Sequence, residues 1–251
     1  MKATVRVLCL ALAVSIAGNT QQTPPGKAHF PFPEKLTYRI EWRLITAGTA
    51  KLQLTQAPNN GWQIALDLES AGIVTRLYRV ADTYKLNAAD QFCGLNTLLE
   101  AQEGKKHHLS KLTFDQRARK VMYEDRDLVK NLSTRKESPI PACTRDVMGA
   151  LSALRMLSLE PGHNITMPIT DGKKVVNARL EPQARESVSV NGKTYQTIRY
   201  EAFLFDNVLY QRKGRLFIWM TDDADHIPVQ IRVQLGFPIG TIGIYLDKEE
   251  R

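Results

Sequence analysis

The densest set of chemically capable side chains is the run Thr221-Asp222-Asp223-Ala224-Asp225-His226, with three carboxylates and an imidazole. Such a group could hold a hard cation such as calcium, or act as an acid/base pair. An EF-hand loop, however, needs Gly at its sixth position and Glu at its twelfth, and the run supplies neither. A turn between two strands uses Asp for its own backbone bonding, and that reading suits the run better. His107-His108 could be half of a metal site, but neighbours in a strand point to opposite faces, so only one could serve it. His29, His163 and His226 are isolated. There is no Gly-x-Ser-x-Gly, no His-Glu-x-x-His, no Cys-x-x-Cys and no phosphate-cradling Gly-rich loop. The expectation is a protein with no catalytic residues, no metal site and no cofactor, and not an enzyme.

Two charged residues are placed by helical geometry. Asp146 and Arg155 stand nine positions apart on one predicted helix, about 180° around it, so each must find a different partner. Asp146 suits the start of the helix. Arg155 either ties the helix to a strand carboxylate or anchors an anionic ligand beneath a sheet. Aromatic residues recur on inward-pattern positions, namely Tyr38, Trp42, Trp62, Phe114, Tyr123, Tyr200 and Trp219. They are either plain core or the lining of an apolar cavity in a curled sheet. In the second reading the candidate ligand-binding residues are Tyr38, Trp42, Trp62, Phe114, Trp219 and Arg155.

Mostly strands must position these residues. Leu36, Tyr38, Ile40, Trp42 and Leu44 alternate with Thr37, Arg39, Glu41 and Arg43, a period of two that makes a half-buried strand. The same pattern runs through 50–55 and 62–69, separated by the turn chemistry of Ala57-Pro58-Asn59-Asn60-Gly61, and returns at 229–235 and 242–246. Further strands are expected near 82–87, 95–101, 108–114, 120–123, 165–169, 175–180, 186–190, 194–203 and 215–221. Asn191-Gly192 is a favoured hairpin turn. One segment reads as helix: Thr144 can cap it, Asp146 sits in its first turn, Val147, Leu151, Leu154 and Leu157 or Ser158 follow at helical spacing, and Pro161-Gly162 ends it. A weaker helical turn lies at 73–78. Ser138-Pro139-Ile140-Pro141 reads as a stiff connector. The fold class is mainly β: a curved antiparallel sheet or open β-barrel with one principal α-helix packed on its concave side.

The 251 residues, 43% of them apolar, have ordinary globular composition. Lys2 and Arg6 precede an eleven-residue apolar run, 7–17, too short to span a bilayer and suited to a secretory signal with Ser15-Ile16-Ala17 at its cleavage site. The expected layout is a signal peptide at 1–17, a flexible tail at 18–29, a β-rich domain at 30–246 with a candidate subdivision near 138–143, and a tail at 247–251. Export to the periplasm follows, with no membrane span after cleavage. Cys93 and Cys143 remain, forming one disulfide or two buried thiols, and an exported chain favours the disulfide. Cleavage removes two bases from the 34 and none of the 26 acids, while segment 104–136 alone carries ten bases against four acids. The mature basic excess therefore resides in that segment. It is either the solvated face of hairpins or a surface for anionic lipid.

Several pieces together resemble a known family: Phe30-Pro31-Phe32, Leu36-Thr37-Tyr38-Arg39-Ile40, Ala47-Gly48-Thr49-Ala50, Asp146 with Ala150-Leu151 and Leu154-Arg155, Trp219-Met220-Thr221-Asp222-Asp223, and Ile227-Pro228-Val229. In order and spacing they are similar to the exported bacterial family called domain of unknown function 3108. The resemblance implies an envelope protein with a β-rich fold and no established activity. Gly149 departs from it, standing where such sequences usually carry Ser. The expected function is non-enzymatic binding or transfer of an apolar or amphiphilic, lipid-like ligand in the envelope. The alternative is a structural or assembly factor acting through envelope proteins. No nucleic-acid partner is expected. Protein recovered from the envelope should have the intact mass of a chain cleaved near Ala17; a retained N-terminus would refute export by this signal.

Overall fold

The computed structural model describes residues 33–57 and 60–251; the expected signal peptide at 1–17, the expected tail at 18–29 and Phe30-Pro31-Phe32 lie outside them. Fourteen strands follow in the order β1 (Glu34–Trp42), β2 (Ile45–Ala57), β3 (Gly61–Ser70), β4 (Val80–Ala88), β5 (Gly94–Glu103), β6 (Lys106–Asp115), β7 (Lys120–Asp127), β8 (Leu132–Pro139), β9 (Ile165–Thr170), β10 (Val175–Val190), β11 (Lys193–Phe203), β12 (Gly214–Thr221), β13 (Pro228–Leu235) and β14 (Thr241–Glu250). Helix α1 (Gly72–Leu77) lies between β3 and β4, and α2 (Val147–Leu154) between β8 and β9. A 3-10 turn, Asp90–Phe92, precedes β5.

All strands belong to one antiparallel sheet in the order β8-β7-β6-β5-β4-β3-β2-β1-β14-β13-β12-β11-β10-β9. Each half is a meander of neighbouring hairpins, and the first and last strands join the halves. The sheet is open, since β8 and β9 are its two edges and do not pair. The intervening chain spans part of that gap: Arg145 forms a parallel bridge with Ile169, and Cys93 is joined to Cys143 by a disulfide. Closing a loop 50 residues apart in sequence restricts the unfolded chain by about 4 kcal/mol.

The edges overlap instead of zipping. The β9–β10 turn lies against the inner faces of β6 and β7, where a Cβ on Gly172 would stand 2.4 Å from Tyr123 and 2.5 Å from Leu112. Gly172 also has φ +88°, a conformation that L side chains rarely adopt. Leu112, Phe114, Val121, Tyr123 and Ile140 form a separate buried cluster here, with Val175 against it.

The main core fills the curl. Inward residues such as Leu36, Tyr38, Leu52, Ile64, Leu86, Ile198, Ile218 and Val229 meet Ala150, Ala153 and Leu154 of α2. Small Ala and Gly residues on the helix allow this close approach. Asp146, not Thr144, is the N-cap: its carboxylate accepts from the Gly149 N–H at 2.6 Å, while the Thr144 hydroxyl donates to the Pro141 carbonyl. A Cβ on Gly149 would lie 3.1 Å from the Phe92 carbonyl oxygen, so the helix start is packed tightly against that 3-10 turn.

Four further features depart from the sequence reading. The helix expected to run to Pro161-Gly162 ends at Leu154, with Arg155 as its C-cap held by the buried pair with Glu34. The expected tail at 247–251 continues β14 to Glu250, which pairs with Lys35. The strands expected at 175–180 and 186–190 are one strand, β10, with an irregularity between Pro182 and Ala184. Part of the expected connector is β8, whose residues Leu132–Pro139 are nearly all exposed. It shows no alternation because it is an edge strand, and polar, charged edges discourage unwanted pairing.

At the far end of α2, Arg155 donates to both carboxylate oxygens of Glu34 on β1, at 2.6 and 2.8 Å, and to the Asp225 carbonyl at 3.2 Å. Arg155 is 2% and Glu34 1% exposed. Burial of the adjacent Tyr38 pushes its phenol above the usual range. Removing one member of such a pair leaves a charge without compensation in low dielectric. Arg155→Ala should therefore lower stability by about 3–5 kcal/mol in urea unfolding, whereas Arg155→Met combined with Glu34→Leu should recover much of the loss. Equal losses in the single and double variants would show that the pair does not organise the fold.

Candidate functional site

The structure distributes the six residues expected to line a cavity. Tyr38 and Trp62 point inward into the main core, where Trp62 stacks on Phe92 with ring centroids 4.9 Å apart. Phe114 belongs to the second cluster. Trp42 sits at the end of β1, its indole N–H donating to the Ile239 carbonyl at 2.7 Å. Trp219 is on the opposite face from Ile218 and Met220, hydrogen bonded to Glu186 at 2.5 Å with Arg232 over its ring. In β12 the run Leu216 to Met220 is apolar at both parities, so alternation alone does not say which face turns inward. Arg155 takes the first of its two expected roles, pairing with Glu34, so its guanidinium is committed within the core and does not face a ligand.

The polar constellations are internally satisfied. Asp223 accepts from the Thr221 hydroxyl and from the backbone N–H groups of Asp225 and His226, the bonding of a turn. His107 contacts Glu100 at 2.8 Å and His108 contacts Asp125 at 3.1 Å, on opposite faces of β6. The bases of 104–136 are likewise divided, with Lys120 paired to Glu137 and Arg135 to Glu124.

A different place in the molecule is open. Where the sheet overlaps itself, the β9–β10 turn, the 204–213 loop and Leu235 enclose a groove of about 860 Å³. Its apolar surface comes from Phe205, Leu209, Tyr210 and Leu235, and its basic groups are Lys173, Lys174 and Arg212. Local structure builds this mouth: Asp171 accepts from the Lys173 and Lys174 N–H groups, the Lys174 ammonium donates to the Asn207 carbonyl, and the Phe205 and Tyr210 rings lie 5.4 Å apart. Among the described residues none of the three cations forms an ion pair with a carboxylate.

Asp171 and Tyr210 also line a smaller inner space of about 190 Å³, bounded by Tyr84, Leu99, Tyr123 and the carboxylate of Asp146. Tyr84 donates its phenol to Asp146. Burial pushes the Asp146 carboxyl up to about 7, against the opposing pull of the helix-start N–H groups. Burial also raises the Tyr210 phenol, as do the negative charges of Asp171 and Asp146. The pair of spaces thus runs from a basic, apolar mouth to a carboxyl poised near neutrality. Lys173, Lys174, Tyr210 and Arg212 were not marked by any motif; they come together only because the two edges of the sheet overlap.

This architecture defines a class before it defines a family. The crystal structure of a beta-barrel-like protein of domain of unknown function DUF1849 from Brucella abortus has the same fold, with a TM-score of 0.56 over 87% of this chain and 97% of that one, at 9% identity. The chain belongs to the family described as protein of unknown function (DUF3108), whose model matches residues 37–247. Comparison with curated proteins returns no match.

The sign of the Asp146 effect on stability follows from the upward shift. The folded protein holds this proton more tightly than the unfolded chain, so the contribution is complete below about pH 4 and is lost as pH rises through about 7. Asp146→Asn keeps a capping oxygen and removes the titration. It should match the wild type at pH 4 and exceed it at pH 8 by on the order of 1–3 kcal/mol. Parallel stability curves across that interval would show that the carboxyl is not held protonated.

Proposed function

We propose that the protein binds an amphiphilic, lipid-like ligand without transforming it, and that it does so in the bacterial envelope. The observation that carries this reading is the groove at the overlap, which combines an apolar wall with Lys173, Lys174 and Arg212. An acyl chain would lie against Phe205, Leu209 and Leu235, and an anionic headgroup would meet the three cations. Ligand pockets commonly combine such an apolar lining with a few convergent polar groups. Export is supported by the signal-like N-terminus, and a Cys93–Cys143 disulfide agrees with an oxidising compartment.

Native mass spectrometry of protein purified from the envelope, followed by lipid extraction, tests the reading. The expected result is a co-purifying amphiphile whose affinity falls about thirtyfold in Lys173→Gln/Arg212→Gln, since each lost base near an anionic group weakens binding by about 1 kcal/mol. Leu235→Trp, which fills the groove, should abolish it. An empty wild-type protein that instead retains a reproducible protein partner would favour an assembly factor and overturn lipid binding.

A further inference from the structure

Antiparallel connectivity sorts the connections between strands into two sets, one at each end of the sheet. Seven lie at the end where β1 finishes: 43–44, 71–79, 104–105, 128–131, 171–174, 204–213 and 236–240. Direct contacts link neighbours in this set: Arg43 donates to the Pro238 carbonyl, the Gly104 N–H to the Arg79 carbonyl, and Lys174 to the Asn207 carbonyl. Together these connections contain nine Lys or Arg residues, two Asp and no Glu. Among the described residues only one of the nine bases, Lys130, forms an ion pair, with Asp127. The short connections at the other end, 58–60, 89–93, 116–119, 191–192 and 222–227, contain two bases and four acids.

Apolar exposure has the same polarity. Ten of the twelve most exposed large apolar side chains among the described residues lie in or directly beside the basic set of turns, with Phe237 96%, Leu44 95% and Leu77 72% exposed. Helix α1 carries Ile73, Val74 and Leu77 yet buries none of its residues. An isolated helix of this length has little stability in water, and its Ile73 and Leu77 side chains project from the described chain with 58% and 72% of their surface exposed. The first described strand residue, Glu34, is at the opposite end of β1.

We propose that this end of the barrel is a docking surface for an anionic phospholipid bilayer. Apolar tips on separate turns, interleaved with bases, match what a headgroup region accepts: side chains enter the acyl boundary while Lys and Arg stay among the phosphates. A protein partner fits less well, because five of the nine bases are Lys, a residue depleted from protein–protein interfaces. The bases that matter are not those on the strand faces of 104–136 but those on the turns. The surface shares Lys173, Lys174, Tyr210 and Arg212 with the mouth of the groove, but the docking does not require the groove to hold a ligand.

Flotation with phosphatidylglycerol vesicles and with phosphatidylcholine vesicles tests the proposal on the full folded chain. The wild type should partition at least tenfold more strongly to phosphatidylglycerol, with binding weakened by salt. Arg76→Gln/Arg79→Gln should reduce that partition about tenfold, and Ile73→Ser/Leu77→Ser/Phe237→Ser should remove the salt-resistant part. Arg117→Gln/Arg119→Gln, at the other end, should change nothing. Urea midpoints equal to wild type would establish that these exposed substitutions leave the fold intact. As a second readout that avoids loss-of-function variants, Phe237→Trp should show quenching by brominated phosphatidylglycerol beyond that of the wild-type tryptophans. No preference for phosphatidylglycerol, equal loss from the Arg117/Arg119 variant, or self-association abolished by the apolar variant without vesicle binding would each overturn the proposal. All substituted residues lie outside the groove, so occupancy by native mass spectrometry reports on that site separately.

Discussion

A fourteen-stranded sheet with one apolar face must remove that face from water, and two short helices cannot cover it. Curling is the remaining solution, because strand twist already bends the sheet and the inner residues can then cover one another. Everything else in the molecule follows from how that curl is completed. β1 and β14 pair and join the two meanders, while β8 and β9 remain apart, so the barrel closes by overlap and not by a continuous ladder. Arg155 and Glu34 fix α2 to β1 from inside, and Cys93 and Cys143 hold the crossover near the 3-10 turn before β5.

An incomplete closure has consequences that a complete barrel would lack. A fully zipped ladder would place side chains in alternating layers with no exit, whereas an overlap leaves a step. The groove between the β9–β10 turn and the 204–213 loop occupies that step, and the N-terminus of α2 lies at its inner limit. The buried Asp146 carboxyl serves two opposed demands there: the helix start favours its charge, and the apolar surroundings disfavour it. Burial is the larger effect, which moves the group into the pH range where its proton can be exchanged.

The same connectivity gives the molecule two unlike ends. Most turn residues lie at the surface, so apart from core residues such as Phe92, Leu204, Leu209 and Ile227 their composition answers to fewer packing demands than that of the strands. Acids that satisfy their own turns occupy one end, as Asp223 does. Bases that, apart from Lys130, have no carboxylate partner among the described residues occupy the other, with exposed Leu, Ile and Phe side chains. Exposed apolar side chains incur a solvation cost in the isolated protein, and their concentration at one end is best understood through what that end meets.

Period-two alternation identified most of the strands, because a sheet with one covered face imposes it residue by residue. Helix α2 was legible from its spacing, although it ends at Leu154, short of the expected Pro161-Gly162 stop, and the angle between Asp146 and Arg155 showed that each needs a different partner. β8 escaped notice because an edge strand has no buried face to record in its sequence. Trp219 could not be oriented from sequence because β12 is apolar at both parities, so only its register with β11 and β13 decides that it lies on the face opposite Ile218, buried beneath Glu186 and Arg232. The groove was equally invisible: Lys173, Tyr210 and Arg212 belong to turns with no motif, and the overlap of two strand edges brings them together. Sequence alone determined the β-rich class, the family and the helix, since these rest on local periodicity and order. Tertiary structure decided which aromatics face inward, which cations lack partners and which turns share an end, because those depend on register and closure between residues far apart in the chain.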